Sequence, residues 1–229
     1  MKIKFGALVV EGRGKIGGQV ASRNRAGSYL RNKVSPVNPN TSAQNNARSF
    51  LTTLSQAWRG LTAAQRSSWN NAVGDFAKTD VFGDLKNPSG FNLYQRLNLN
   101  LLHIGEATID VAPLPSEVLT AGIGALSIDI GAGDAYTIAT DAAVPTATSM
   151  EVWATPSLSP GKNFVKSELR LLEVFDAAAA SPHDIKASYE ARFGVATAGS
   201  KVFVQIKFVN QATGQASTTQ QASTIVADT

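Results

Sequence analysis

Cysteine is absent from this chain of 229 residues, which excludes disulfides and all thiolate chemistry and fits a reducing compartment or a particle assembled in one. Histidine is nearly absent. His103 and His183 fall in segments expected to fold separately, so a transition-metal site would need clustered carboxylates. Long apolar runs are missing too: nothing approaches the roughly 20 residues that span a bilayer. The first run, Phe5 to Val10, is shorter than the roughly 7–15 residues of a signal-peptide core, and no small-residue cleavage site comes after it. A soluble protein without a classical export signal is expected. Acid is scarce in one region only. Residues 1–66 contain Glu11 as their single acid against 11 Lys and Arg.

That scarcity makes the charge polar along the chain. Residues 1–66 sum to +10 and residues 67–229 to −6, so the overall +4 conceals two halves of opposite sign. The apolar fraction of 43% is ordinary for a packed globular protein.

Residues 2–10 read as a strand, with Ile3, Phe5, Ala7 and Val9 on one side and Lys2 and Lys4 on the other. Gly12, Gly14, Gly17 and Gly18 then interrupt the pattern. QVASRNR and SYLRNKV form a hairpin turning at Gly27, with Arg23, Arg25, Arg31 and Lys33 mostly outward. So polar a hairpin has little apolar face and is marginal alone. Pro36 and Pro39 keep the exit extended. Thr41 with Gln44, and Thr62 with Gln65, are two capping boxes. Each opens an apolar stripe: Ala43, Ala47, Phe50, Leu51, Leu54, Ala57 and Trp58, stopped by Gly60, then Trp69, Ala72, Val73 and Phe76. A third helix is expected from Ser89 to His103, with Gly105 as stop. Phe50, Trp58, Trp69, Phe76, Phe91 and Tyr94 are the aromatic core of this three-helix unit.

After residue 105 short β-type runs take over, near 125–130, 134–140, 149–155, 168–175, 201–209 and 218–226. A short helix at 181–194 has Ser181 as N-cap, Pro182 in its first turn and Gly194 as stop. The expected fold class is α+β. A basic β-arm (1–40) precedes a three-helix unit (41–105), a link (106–115) and an independent antiparallel β-sandwich of immunoglobulin or fibronectin-III type (116–229) with Trp153 in its core.

No catalytic motif is complete. Gly12, Gly14 and Gly17 match the dinucleotide fingerprint GxGxxG. That fingerprint needs a helix start to hold the pyrophosphate and an acid about 20 residues on. Arginine-rich β-type sequence stands there instead. Asp129 and Asp134 flank a Gly-Ala-Gly turn and read as a solvated hairpin rather than a calcium loop. Nothing resembles a nucleophile elbow. No enzyme, cofactor or metal is expected. The remaining signal is the basic arm. Arg13, Lys15, Arg23, Arg25, Tyr29, Arg31 and Lys33 are the candidate partner-binding residues, docking on an acidic protein surface or, alternatively, on nucleic-acid phosphates, against the plainer reading of a solvated face. Tyr29 is the only aromatic among them, which gives base stacking little support.

The run from Ser22 to Val73, continued by VFGDLKNPSGFNLYQRLN, includes Arg23 to Gly27, Pro36, Pro39-Asn40-Thr41, Gln44, Arg48, Ala57-Trp58, Leu61-Thr62, Gln65-Arg66, Trp69-Asn70, Phe82-Gly83 and Gly90. On these residues the chain resembles a family of small virion-associated structural proteins encoded by tailed bacteriophages and prophages of Bacteroidota-type hosts. The likeness extends less specifically into residues 153–170 and the tail VNQATGQAS. It implies a capsid decoration, head–neck or tail-associated subunit with a β-sandwich tail, assembled in the host cytoplasm and located in the virion. Its partners would be other virion proteins and further copies of itself. No catalytic residues carry over, and the arm (1–40) is expected to become fully ordered only against such neighbours.

Overall fold

The computed structural model describes residues 1–7, 9, 11–24 and 27–228. The N-terminal region is a four-stranded antiparallel sheet rather than one long strand and a hairpin. Its strands are β1 (Lys2–Ile3), β2 (Gly14–Ile16), β3 (Gln19–Asn24) and β4 (Gly27–Asn32), in the order β1-β4-β3-β2. The strand expected at 2–10 shrinks to two residues. Past Ile3 the described residues leave the ladder and enter a turn at Ala7. The fingerprint glycines serve hairpins instead: Gly14 lies in β2, and Gly17-Gly18 make the two-residue turn to β3, Gly17 at φ +56°. This turn opens a strand and not a helix, so no helix N-terminus is present to hold a pyrophosphate.

Helix α1 (Ser42–Gly60) begins where the Thr41 hydroxyl accepts from the Gln44 N–H at 3.3 Å. The Gln44 side chain makes no return bond, and Gly60 is the last helical residue rather than the stop. Helix α2 (Ala63–Asn71) has the complete box. The Gln65 N–H donates to Thr62 Oγ1 at 3.3 Å, and the Thr62 N–H donates to Gln65 Oε1 at 2.8 Å. A small hairpin, β5 (Lys78–Thr79) and β6 (Leu85–Lys86), leads to α3 (Gly90–His103). Leu54, Leu61, Trp69, Leu93, Tyr94 and Leu97 form the core here. Of the six expected aromatics only Trp69 and Tyr94 are fully buried; Trp58 and Phe76 pack against that core from its edge, Phe91 meets Trp58, and Phe50 lies against His103 instead. Segment 106–115 is laid across the helices rather than hanging free. Buried Asn98 receives the Ile109 N–H at 2.6 Å, and the Trp69 indole donates to the Asp110 carbonyl at 2.8 Å.

The C-terminal half is a β-sandwich. One sheet holds β7 (Ile123–Ile128), β8 (Tyr136–Thr140) and β11 (His183–Asp184), ordered β11-β8-β7. The other holds β9 (Thr148–Ala154), β10 (Arg170–Phe175), β12 (Lys201–Asn210) and β13 (Gln220–Ile225), ordered β10-β9-β12-β13. Tyr136, Ile138, Met150, Val152, Val204, Ile206 and Phe208 fill the space between. Two expectations are corrected. The 181–194 helix is β11 and then α4 (Lys186–Phe193), because the Ser181 hydroxyl exchanges hydrogen bonds with the Thr140 backbone, both at 2.9 Å, and so cannot cap a helix. Trp153 is half-buried on the outer face of its sheet. Met150, Val152 and Ala154 alternate with it and take the core side.

The helices pack against that outer face. Asn100 donates its amide to the Gly214 carbonyl at 2.8 Å, and a Cβ at Gly214 (φ +66°) would overlap the Leu97 carbonyl oxygen. Gln215 spans the link, accepting from the Ser116 N–H at 2.9 Å and donating to the Leu114 carbonyl at 2.7 Å. Glu151, fully buried, is paired with Lys207 at 2.9 Å beneath the end of α3.

Candidate interaction site: the basic N-terminal sheet

Strand register decides which of the candidate residues meet. Lys15 lies opposite Val20, and Val20 opposite Arg31; Lys2 lies opposite Tyr29, and Tyr29 opposite Ser22. Paired residues share a face, so Lys2, Lys15, Tyr29 and Arg31 form one basic surface. A shallow pocket of about 180 Å³ opens there, lined by Lys2, Asn24, Gly27 and Tyr29. Lys33 continues from this edge, its N–H donating to the Gly18 carbonyl at 2.8 Å. Arg23 is on the opposite face with Ser28 and Ile3. Arg25 lies outside the described residues.

The cations divide by partner. Arg13 donates through Nε to Glu11 Oε1 at 2.7 Å, and Arg23 reaches the same oxygen at 3.6 Å. The Arg13 hydrogen bond is the main reason the Glu11 carboxyl sits below its ordinary range; Arg23 adds to it. Lys2 and Lys4 reach the β5–β6 hairpin, at 3.5 Å from Asp80 and 2.9 Å from Asp84, and the Lys4 ammonium lies 5.1 Å from the Phe82 ring centroid. The Asp80 side chain is only 4% exposed. Desolvation pushes its carboxyl up, but the Phe82 and Asp84 N–H groups, with Lys2, outweigh that and leave it lowered. These contacts tether the sheet to the β5–β6 hairpin. Among the described residues Lys15, Arg31 and Lys33 make no ion pair.

One further feature belongs to the site. Strand β2 is an edge, exposed throughout, with Ile16 69% accessible. Its free backbone groups can pair with an added strand. The arrangement can thus bind anionic groups through side chains and an extended segment through backbone. Among the described residues no three His, Asp or Glu side chains gather to hold a metal. Sequence reasoning missed the tethers Lys2 and Lys4 and the role of Glu11. The two-residue spacing of Glu11 and Arg13 was the available signal.

Compared with protein-family models, curated proteins and solved structures, the chain matches none.

Proposed function

We propose that this chain is a structural protein of a tailed-phage virion, a capsid decoration, head–neck or tail-associated subunit anchored through its basic N-terminal sheet. The observation that carries the reading is the coincidence of unpaired Lys15, Arg31 and Lys33 with the open β2 edge. A monomer's fold uses neither; an acidic neighbour with an extended segment uses both. The strand distribution of the sandwich, three (β11-β8-β7) against four (β10-β9-β12-β13), supports a fibronectin-III-like module as the projecting part. Net charge of opposite sign in the two halves lets a second copy serve as one such neighbour.

Mass spectrometry of purified particles tests this reading: stoichiometric presence is expected, and absence overturns it. Charge reversal of Lys15 and Arg31 to Glu should block incorporation while the soluble melting temperature stays within about a degree or two, because exposed charges contribute little to folding. The second reading is phosphate contact by the same cations, favoured by Tyr29 lying beside Lys2 and Arg31 on one face. It requires DNA affinity that falls with salt at a log–log slope near −0.9 per phosphate neutralised. No binding at low salt removes it.

A further inference from the structure

Beyond the N-terminal sheet, two adjoining clefts of about 550 and 410 Å³ share the side chains of Phe76, Lys78 and Arg96 as their common wall. We propose that this wall is an oxyanion-binding site, centred on Arg96 and completed by Lys78 and Lys86, for a phosphate or carboxylate group.

Arg96 projects from α3 between the helices and the sandwich, half-buried, its guanidinium 5.7 Å from the Phe76 ring centroid. Among the described residues it makes no ion pair. Desolvation draws its pKa down, as expected for a cation taken from water without a counter-charge. The β5–β6 hairpin adds to the imbalance. Lys78 and Lys86 are cross-strand partners, so like charges stand directly opposite, which costs rather than stabilises. Among the described residues the carboxylate that reaches this pair is Asp84, 3.9 Å from Lys86 and already held by Lys4 at 2.9 Å. Asp75 borders the larger cleft but lies beyond ion-pair distance of all three cations.

Three cations thus face one concavity, and none has a close carboxylate of its own. Arg presents a planar fork suited to two oxygens of one oxyanion, and two lysines add point charges from the β5–β6 hairpin. Asn92 and Asn100, which line the smaller and the larger cleft respectively, supply neutral amides for further oxygens. The site adjoins the N-terminal sheet through Lys86 and Asp84 but does not depend on the virion reading.

Isothermal titration of the full chain at low ionic strength, with sodium pyrophosphate and with a hexaglutamate peptide as probes, tests the proposal. Saturable one-to-one binding of at least one probe is expected; pyrophosphate alone assigns phosphate, hexaglutamate alone assigns carboxylate. Arg96→Gln should weaken it about tenfold or more, the loss expected for a charge-assisted hydrogen bond. Since Arg96 also packs on Phe76, the exposed-side double change Lys78→Gln with Lys86→Gln is the variant that leaves the helices intact, and it should weaken binding too. The titrations are run in a Lys15→Gln, Arg31→Gln background, which removes anion binding by the N-terminal sheet, and the cleft's one-to-one binding should persist there. No binding of either probe in that background, or binding indifferent to both cleft variants, overturns the assignment.

Discussion

The N-terminal sheet and the sandwich are both antiparallel β structure, yet they are held together differently. In the sandwich Tyr136, Ile138, Met150, Val152, Val204, Ile206 and Phe208 are sealed from water between two sheets. Each such side chain contributes roughly 1.5–3 kcal/mol. In the N-terminal sheet Ala21 is the one buried residue among those described. Its connections to the rest include the Lys2–Asp80 and Lys4–Asp84 ion pairs, interactions worth about 0–1 kcal/mol when exposed. The sandwich spends its apolar surface on itself. The sheet keeps its charges and its β2 edge available to something else.

The largest contrast lies in the cores. Phe208→Ala should cost about 3–5 kcal/mol, read as a lowered urea midpoint by circular dichroism. Leu30→Ala, half-buried in β4, should cost about 1 kcal/mol in the same assay. Equal losses would mean that the N-terminal sheet has a core of its own.

At the boundary between helices and sandwich, Gly214→Ala meets both a left-handed backbone and the Leu97 carbonyl. A loss of about 1–3 kcal/mol is expected. Calorimetry should show the single transition splitting in two as the halves part; a single unshifted peak would show that the junction contributes nothing.

Proton uptake separates the regions more gently. Desolvation holds His103 and His183 below the ordinary imidazole pKa, with Glu151 opposing and Lys207 reinforcing the effect at His103. A lowered folded-state value means the unfolded chain takes up protons first. The stability these histidines contribute is therefore complete above about pH 6.5 and lost as pH falls from there through the lower folded-state values. The melting temperature should drop between about pH 7.5 and about pH 5.5, and His183→Gln, which removes the ring that meets Thr140 Oγ1 at 3.1 Å, should flatten the slope. The N-terminal sheet has no histidine, so its near-neutral pH profile, tracked by Tyr29 ring resonances, should be level.

The smallest effect belongs to the tethers. Lys4→Ala should change global stability by about 0.2–1 kcal/mol, and less at high salt, while faster amide exchange in β1 and β4 reveals the loosened sheet.

Local signals in the sequence reach as far as local physics does. Thr62 and Gln65 announce a helix start because both partners of the cap lie within one turn, and the strands of the sandwich appear within a few residues of their places because alternation is a property of neighbours. Trp153 shows where this ends. Glu151 and Trp153 alternate with Met150, Val152 and Ala154, but alternation alone does not say which set faces the other sheet, and here the helices cover part of the outer face too. Ser181 and Pro182 have the chemistry of a helix start, and a hydrogen bond to Thr140, distant in sequence, redirects it. The β5–β6 hairpin, two residues to a strand, is too short to leave a period. For the candidate site, the basic residues are legible as a group. Their division into Glu11-bound and unpaired sets depends on pairing register, which no linear spacing displays.

The Gly214 contact has a mechanical meaning. With the loop before β13 seated against the Leu97 carbonyl and pinned by Asn100, the sandwich has no slack joint with α3. A torque applied where β5–β6 grips the N-terminal sheet passes through α3 into β12 instead of being absorbed by a swivel. Whatever holds the N-terminal sheet would therefore also set the heading of the sandwich.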